Sequence, residues 1–461
     1  MTAIGVAPSP AQGLGLRRRR TILAVCCLSL FLVGMDTTIV NIGLPAIGRD
    51  LGGGTRGLEW TVDAYTLVLA GLLISSGAVA DRLGRRKVFQ VGLVVFGGAS
   101  VACAVASSLG VLVAARVVQG IGASMLSPVA LAIVVNAITD PKERARAIGV
   151  WAAVFGVSMA AGPVVGGALI SAVGWRGVFW VNLPVIVGAL VLSAVFVPES
   201  RAARARRLDL PGQVLLMLLV GLTVGVLIEG PRLGWGSGWA LAAYGAVVGV
   251  GVVFVVVESR RGEPLMDPAL FRRRSFAGAV FGAVVVFVAL NVTLLLNTLY
   301  LQEVRGMSPA AAGVLTLPMA LGATVCAPWA GRMVGRRGAR LPLTLAGAFT
   351  VLGGLVLVGM DAGTPVPVLL CAYLAIGVGF GFANAPLTNT AVSGLPPERA
   401  GVAGGTTSTA RQVGAALGIA VAGAFVSDGG SGGLMAAARP GWLLVAGCGG
   451  LLVGVAWVAA G

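Results

Sequence analysis

Fourteen apolar runs follow one another along the chain, most close to twenty residues long and parted by short, arginine-rich turns. They lie near 21–43, 59–80, 88–108, 110–138, 145–168, 175–197, 211–229, 237–257, 275–300, 310–332, 341–360, 364–392, 400–426 and 440–460. A helix needs roughly twenty such residues to cross a ~30 Å hydrocarbon core. In lipid every backbone polar group must be satisfied internally, which leaves α-helices as the structure for runs of this kind. Charged residues make up 11% of the chain, against about 25% in a soluble domain. No polar stretch is long enough to hold a soluble domain. The expectation is an all-α polytopic membrane protein with 14 transmembrane helices.

The charges test that count. With the N-terminus inside, the turns assigned to the cytoplasm hold 25 basic residues and the external turns hold six, Arg49, Arg56, Arg176, Arg232, Arg305 and Arg439. Cytoplasmic loops carry the excess of Lys and Arg, and one span more or fewer would scramble the split. The net charge of +16 is therefore read as topology, and no nucleic-acid partner is expected. Arg17–Arg20 precede an apolar run that continues to about Leu44 with no small-residue cleavage site, so it reads as a retained first span and not a signal peptide. Both termini are expected in the cytoplasm. Arginine outnumbers lysine 31 to 2, a bias that suggests a GC-rich bacterial genome and hence a bacterial cytoplasmic (inner) membrane.

The turn "GAVADRLGRR" (77–86) aligns with "GRMVGRRGAR" (331–340), matching Gly77 to Gly331, Arg82 to Arg336, Gly84 to Gly338 and Arg86 to Arg340. Two pseudo-symmetric six-helix bundles with two extra central helices account for fourteen spans. The expected division is a basic N-terminal tail (1–20), a first bundle (21–197), a linker with two extra spans (198–274) and a second bundle (275–461). Parallel repeats of this kind belong to transporters whose site lies between the halves.

Several chemistries are set aside. The chain has no His and no CxxC, and its six Cys (26, 27, 103, 326, 371 and 448) fall inside apolar runs, so neither a metal site nor a disulfide framework is expected, and core packing is their expected role. No GxxxxGK[ST] loop is present to bind ATP. No nucleophile–base pair stands out, and an enzyme is not expected.

The basic residues of the 77–88 turn are explained by orientation, but its Asp81 and spaced glycines are not. Gly77 and Gly84 allow close backbone approach. Asp81 can accept from a neighbouring helix N-terminus or pair with an Arg. With Arg82, Arg85 and Arg86 it forms a candidate latch that holds one conformation and releases in another.

These motifs resemble those of the major facilitator superfamily. G-x-x-x-D-R-x-G-R-R-K (77–87) looks like its loop signature, and "RVVQGIGASMLSP" (116–128) resembles its fourth-span motif through Arg116, Gln119, Gly120 and Gly122. "GVSMAAGPVVGG" (156–167) resembles the antiporter motif of the fifth span. "MDTTIVNIGLP" (35–45), "GWRGVFWVNLP" (174–184) and "TARQVGAALG" (409–418) resemble segments of the fourteen-spanner drug:proton antiporter branch. The likeness runs from about residue 21 to 427. The second turn departs from it, with Gly335 where the first has Asp81.

Spacing alone gives Gly156, Ala160, Pro163 and Gly167 a small-residue face that would serve a specialised seam or generic close packing. The resemblance, through Gly156, Gly162, Pro163, Gly166 and Gly167, favours the seam and favours exchange over symport.

A charge at the bilayer centre costs from ~3 kcal/mol upward, so each is a functional hypothesis. At 1.5 Å per residue, Asp36 lies roughly 10 Å below the outer surface, Arg116 roughly 9 Å and Asp63 roughly 6 Å. Burial favours a protonated carboxylate and a nearby Arg an ionised one, so movement of Arg116 relative to Asp36 would switch proton affinity; the alternative is a static ion pair that only holds the helices together. The resemblance implies the same pair. Asp63 is a second proton site, a cation-binding residue or a shallow group facing water. Glu59 and Glu303 read as solvated span ends. Asn41, Trp60, Tyr65, Gln119, Trp151, Asn297, Arg411 and Gln412 are candidates for the substrate site, and Trp60, Trp175, Trp235 and Trp239 could equally form an interfacial belt.

The resemblance implies a proton-coupled exporter of drug-like, cationic or amphiphilic small molecules, functional as a monomer, with the proton as coupling ion and no other cofactor. The alternatives are an exporter of an endogenous metabolite or lipid, or a proton-coupled nutrient symporter of the same fold.

Overall fold

The computed structural model describes residues 15–52, 54–138, 140–201, 208–393, 395, 397–428 and 433–459. The first half contains α1 (Leu16–Leu51), α2 (Thr55–Leu83), α3 (Arg85–Ala104), α4 (Leu109–Ser124), α5 (Ser127–Ala137), α6 (Pro141–Val173), α7 (Gly177–Trp180) and α8 (Asn182–Phe196). Next come α9 (Leu210–Leu233) and α10 (Gly238–Ser259). The second half contains α11 (Arg274–Leu299), α12 (Pro309–Leu315), α13 (Leu317–Arg337), α14 (Arg340–Val358), α15 (Val366–Val392), α16 (Pro397–Asp428) and α17 (Gly433–Val458).

Three spans are broken helices. α4 and α5 meet just before Pro128, α7 and α8 just before Pro184, and α12 and α13 just before Pro318. Proline supplies no N–H to the preceding turn and crowds the carbonyl four residues back. Counted as α4–α5, α7–α8 and α12–α13, the order gives fourteen crossings. Thirteen runs among the described residues are long and apolar enough to span a bilayer. The 33-residue α6, with Val157–Val173 as its apolar part, stands in the fifth place.

Helix starts have a recurring chemical cause. Ser108, Asp209, Ser237 and Ser308 each accept from the amide three residues on, which satisfies one otherwise unpaired N–H.

The two halves repeat one packing scheme. In the first, α1 packs on α6, α2 on α4, and α3 on α4 and α8; in the second, α11 packs on α16, α13 on α15, and α14 on α15 and α17. Each pairing in one half therefore has its counterpart in the other. The halves meet along two seams, α2 with α16 and α6 with α12 and α13, and α9 lies against both α2 and α16.

Charged contacts define two faces. One bears the Arg19–Glu143 ion pair, the Arg18 hydrogen bond to the Phe196 carbonyl, and the α2–α3 turn. The opposite face bears Asp50, whose carboxylate accepts from Trp175 at 2.9 Å and Arg176 at 2.5 Å. Trp175 is thus a buried hydrogen-bonded residue and not part of an interfacial belt. Cys26, Cys27, Cys103 and Cys448 pack in the interior, whereas Cys371 is exposed on α15.

Candidate functional site

Asp36, halfway along α1, meets Arg116 of α4 inside the first half. Arg116 Nη1 donates to Asp36 Oδ2 at 2.6 Å and to Gln119 Oε1 at 2.7 Å, and Nε donates to the Thr61 carbonyl at 3.0 Å. The guanidinium lies 4.1 Å from the Tyr65 ring centroid, within cation–π range. The other carboxylate oxygen, Asp36 Oδ1, accepts from Gln119 Nε2 at 3.0 Å and from Asn182 Nδ2 at 3.4 Å. Ser100 Oγ accepts from the same two amides at 3.0 and 3.3 Å, and Cys103 Sγ lies 3.7 Å from Gln119 Oε1. Asp36, Arg116, Gln119, Ser100, Asn182 and Tyr65 have no exposed surface.

Helical geometry explains the convergence. Arg116 and Gln119 are three residues apart and share a face of α4. Ser100 and Cys103 do the same on α3. A buried ion pair repays its desolvation only when the remaining donors and lone pairs are also engaged. Here both carboxylate oxygens are engaged, while Arg116 Nη2, the Tyr65 hydroxyl and Asn182 Oδ1 have no partner.

Tyr65 and Gln119, named as substrate candidates, are part of the ion-pair network in this structure. Ser100, Asn182 and the Thr61 carbonyl join a site to which sequence reasoning had not assigned them.

Asp63 lies two residues before Tyr65 and so faces a different direction from α2. It is fully buried, which sets aside the water-facing alternative and leaves the other two readings, and neither carboxylate oxygen has a partner. Glu59, one turn earlier, is a correction. It is buried and lies against Gly423 of α16, where a Cβ would collide with the Glu59 carboxylate. A glycine on α16 lets that helix cover an acid that stands at the end of a span. Glu59 Oε2 is unpartnered as well. Two buried carboxylates at i and i+4 on the seam between halves, lacking donors, are suited to hold a proton or a cation. Arg56, one turn closer to the opposite face, pairs with Glu229 of α9 at 2.6 Å.

The antiporter-motif glycines serve two contacts. Gly162 and Gly166 face α1: a Cβ at Gly162 would lie 2.0 Å from Thr38 Oγ1, and one at Gly166 would lie 2.6 Å from Ile39 Cγ1. Thr38 Oγ1 donates to the Met159 carbonyl at 3.1 Å, tying α1 to α6. Gly167 faces the other half, where its Cβ would lie 2.3 Å from the Pro309 carbonyl, and a Cβ at Gly313 would lie 2.3 Å from the Pro163 carbonyl. Gln302 Nε2 donates to the Ile42 carbonyl at 2.8 Å, and the Ala310 amide to Ser171 Oγ at 3.2 Å. The halves are thus in close contact towards the Asp50 face. Gly156 lies within α6, and its contacts fall outside what the structure describes.

Of the two roles expected for Asp81 the structure shows the pairing with an arginine, and a second acid takes the helix N-terminus. Asp81 pairs with Arg85 on the next turn, accepting from Nε at 3.0 Å and Nη2 at 2.8 Å. The start of α3 is held instead by Glu199, which accepts from the Arg86 amide at 3.1 Å and the Lys87 amide at 3.2 Å. A carboxylate at a helix N-terminus is favoured by both the free amides and the dipole. Gly84 has φ +118°, and a Cβ there would sit 2.7 Å from the Glu199 carboxylate. Arg86 Nη1 also donates to the Val197 carbonyl at 3.3 Å. Gly77 approaches Pro128, and Arg82 is exposed. Sequence reasoning missed Glu199; an acid directly after Pro198 at a span end, ahead of an arginine-rich run, was the available signal.

The other substrate candidates do not converge. Asn41 is buried on α1 with Oδ1 unpartnered. Trp60 packs in the cluster formed by α2, α9 and α16. Asn297 Oδ1 accepts from the Tyr373 hydroxyl. Arg411 donates to Thr388 Oγ1, and Trp151 Nε1 and Gln412 Oε1 have no partner.

Residues 26–419 match the model of the Major Facilitator Superfamily. The chain belongs to that superfamily. It is 39% identical over 401 residues to "Multidrug resistance protein Stp" of Mycobacterium tuberculosis, covering 87% of this chain and 74% of that one. It is 38% identical over 428 residues to the "Tetracenomycin C resistance and export protein" of Streptomyces glaucescens, covering 92% and 79%. Among solved structures, the nucleoside transporter NupG superposes with a TM-score of 0.65 over 96% of this chain and 99% of that one, at 12% identity, a likeness of fold.

Proposed function

We propose that this superfamily member is a proton-driven exporter of drug-like, cationic or amphiphilic small molecules, acting as a monomer in a bacterial cytoplasmic membrane with both termini in the cytoplasm. The observation that carries the proposal is the wholly buried Asp36–Arg116 pair on α1 and α4. Relatives named for multidrug resistance and tetracenomycin C export support the substrate class.

In the proposed cycle a proton arriving at Asp36 neutralises the carboxylate and weakens its tie to Arg116. Arg116 keeps the Thr61 carbonyl, Gln119 and the Tyr65 ring, so it remains held while α1 is freed. Six residues further along α1, the Ile42 carbonyl accepts from Gln302 of the other half. Loosening α1 at Asp36 would therefore reach the contact between halves through one rigid helix. Asp63 and Glu59, buried on the α2–α16 seam, supply a second place for a proton or for the cationic group of a substrate.

The test is drug-driven proton movement in inside-out vesicles. A pH gradient is imposed, and cationic dyes and antibiotics are added to vesicles carrying the wild type or Asp36→Asn. The proposal expects some compounds to collapse the gradient in the wild type and none in the variant. An equal response in both would remove Asp36 from the coupling step.

A further inference from the structure

We infer that α13 carries a binding site for an anionic phospholipid, with Arg332, Arg336 and Arg337 taking the headgroup and an apolar stripe of the same helix taking the acyl chains. A recess of about 320 Å³ at the end of α13 is lined by Trp329, Arg332, Met333, Arg336 and Arg337. Among the described residues none of the three arginines has an ion-pair or hydrogen-bond partner in the protein. That sets them apart from Arg19, Arg85 and Arg116, which each meet a carboxylate. An unpaired guanidinium presents a planar fork of donors that matches a phosphate oxygen pair, and Arg332 and Arg336, one turn apart, lie on one face of the helix.

The stripe leading to the recess favours a lipid over a free anion. Leu321, Val325, Trp329, Arg332 and Arg336 follow at helical spacing, and all are exposed, with Trp329 61% accessible. The opposite side of α13 is occupied: Met319, Gly322 and Ala330 are buried, and Gly322 and Met319 touch α15. The free side thus runs from aliphatic residues through a tryptophan to arginines within five turns. That order matches a bilayer read from acyl chains through the interface, where Trp concentrates, to the headgroups. Basic recesses at such a level are suited to acidic phospholipids. On the next helix Arg340 stacks on Trp457 of α17 at 3.5 Å, so the neighbouring arginine is fixed in a structural contact and the three on α13 are left for the ligand. The site lies apart from Asp36 and is independent of what the protein exports.

The test uses the purified full chain, stripped of lipid by detergent exchange and examined by native mass spectrometry. Phosphatidylglycerol and phosphatidylcholine with the same acyl chains are titrated against the wild type, R332Q/R336Q/R337Q, and the charge-matched control R260Q/R272Q/R274Q. The expected result is phosphatidylglycerol binding at least tenfold tighter than phosphatidylcholine, lost in the first variant and kept in the second. Trp329→Ala, which leaves all three charges, is expected to weaken binding several-fold, and thermal melting confirms that each variant is folded. Equal binding of the two lipids, or equal loss in the charge-matched control, would overturn the site. Full displacement by millimolar inorganic phosphate would overturn the lipid assignment in favour of a free-anion site.

Discussion

Removing Arg116 while leaving Asp36 places an unbalanced carboxylate in a site with no exposed surface. In Arg116→Met the carboxylate loses its 2.6 Å donor and keeps only the amides of Gln119 and Asn182, at 3.0 and 3.4 Å. Breaking a buried pair from one side destabilises by about 3–5 kcal/mol, mostly through the charge left behind. Asp36→Asn strands the guanidinium instead, but that group retains Gln119, the Thr61 carbonyl and the Tyr65 ring, so its loss is smaller, about 1–3 kcal/mol. The double variant Asp36→Asn/Arg116→Met contains neither charge and should recover about 2–3 kcal/mol relative to the sum of the singles. Unfolding of the purified protein by increasing SDS in mixed micelles measures all four corners. Additivity within about 0.5 kcal/mol would refute the reasoning, because it would mean that the two charges do not interact in the folded protein.

Three further outcomes follow from the geometry. Glu199→Ala removes the acceptor for two α3 amides and should lower stability by about 0.5–2 kcal/mol, whereas Asp81→Ala loses only a partly exposed i, i+4 pair worth ~0.5 kcal/mol; thermal melting ranks them, and the reverse order contradicts the latch described. Gly313→Val puts side-chain atoms where a Cβ alone would lie 2.3 Å from the Pro163 carbonyl, so the Asp50-face seam should part and thiol labelling of Ala312→Cys, at a position with no exposed surface, should speed up, against a background freed of native cysteines. Asp63→Asn replaces a buried acid that has no partner on either oxygen, so melting should be unchanged or raised while drug-driven proton movement changes, and a loss above about 2 kcal/mol would point to a hidden counter-charge.

The fourteen crossings were legible because apolar runs and charged turns alternate, and because the basic residues sort by face. The Asp36–Arg116 pair was legible for a related reason: lone charges at matching depth in one half have few other partners. What one-dimensional depth could not convey was direction around a helix. Asp63 and Tyr65 are two residues apart on α2, yet one lies unpartnered and the other stacks under Arg116. Glu59 looked like a solvated span end because the residue that lets α16 cover it, Gly423, is 364 positions away. Glu199 was hidden similarly, since its role depends on the α3 amides more than a hundred residues earlier. Asn297, Trp60 and Arg411 were grouped only as polar or aromatic residues within spans, and the folded helices point them to separate places.

In the proposed mechanism Asp36 carries the exchanged proton. Its most direct test is proton release from purified protein in weakly buffered detergent solution, followed with a pH indicator as a transported compound is added. Release is expected on addition to the wild type, and none from Asp36→Asn that still binds the compound. Equal release from that variant would contradict the mechanism and transfer the role to another buried acid.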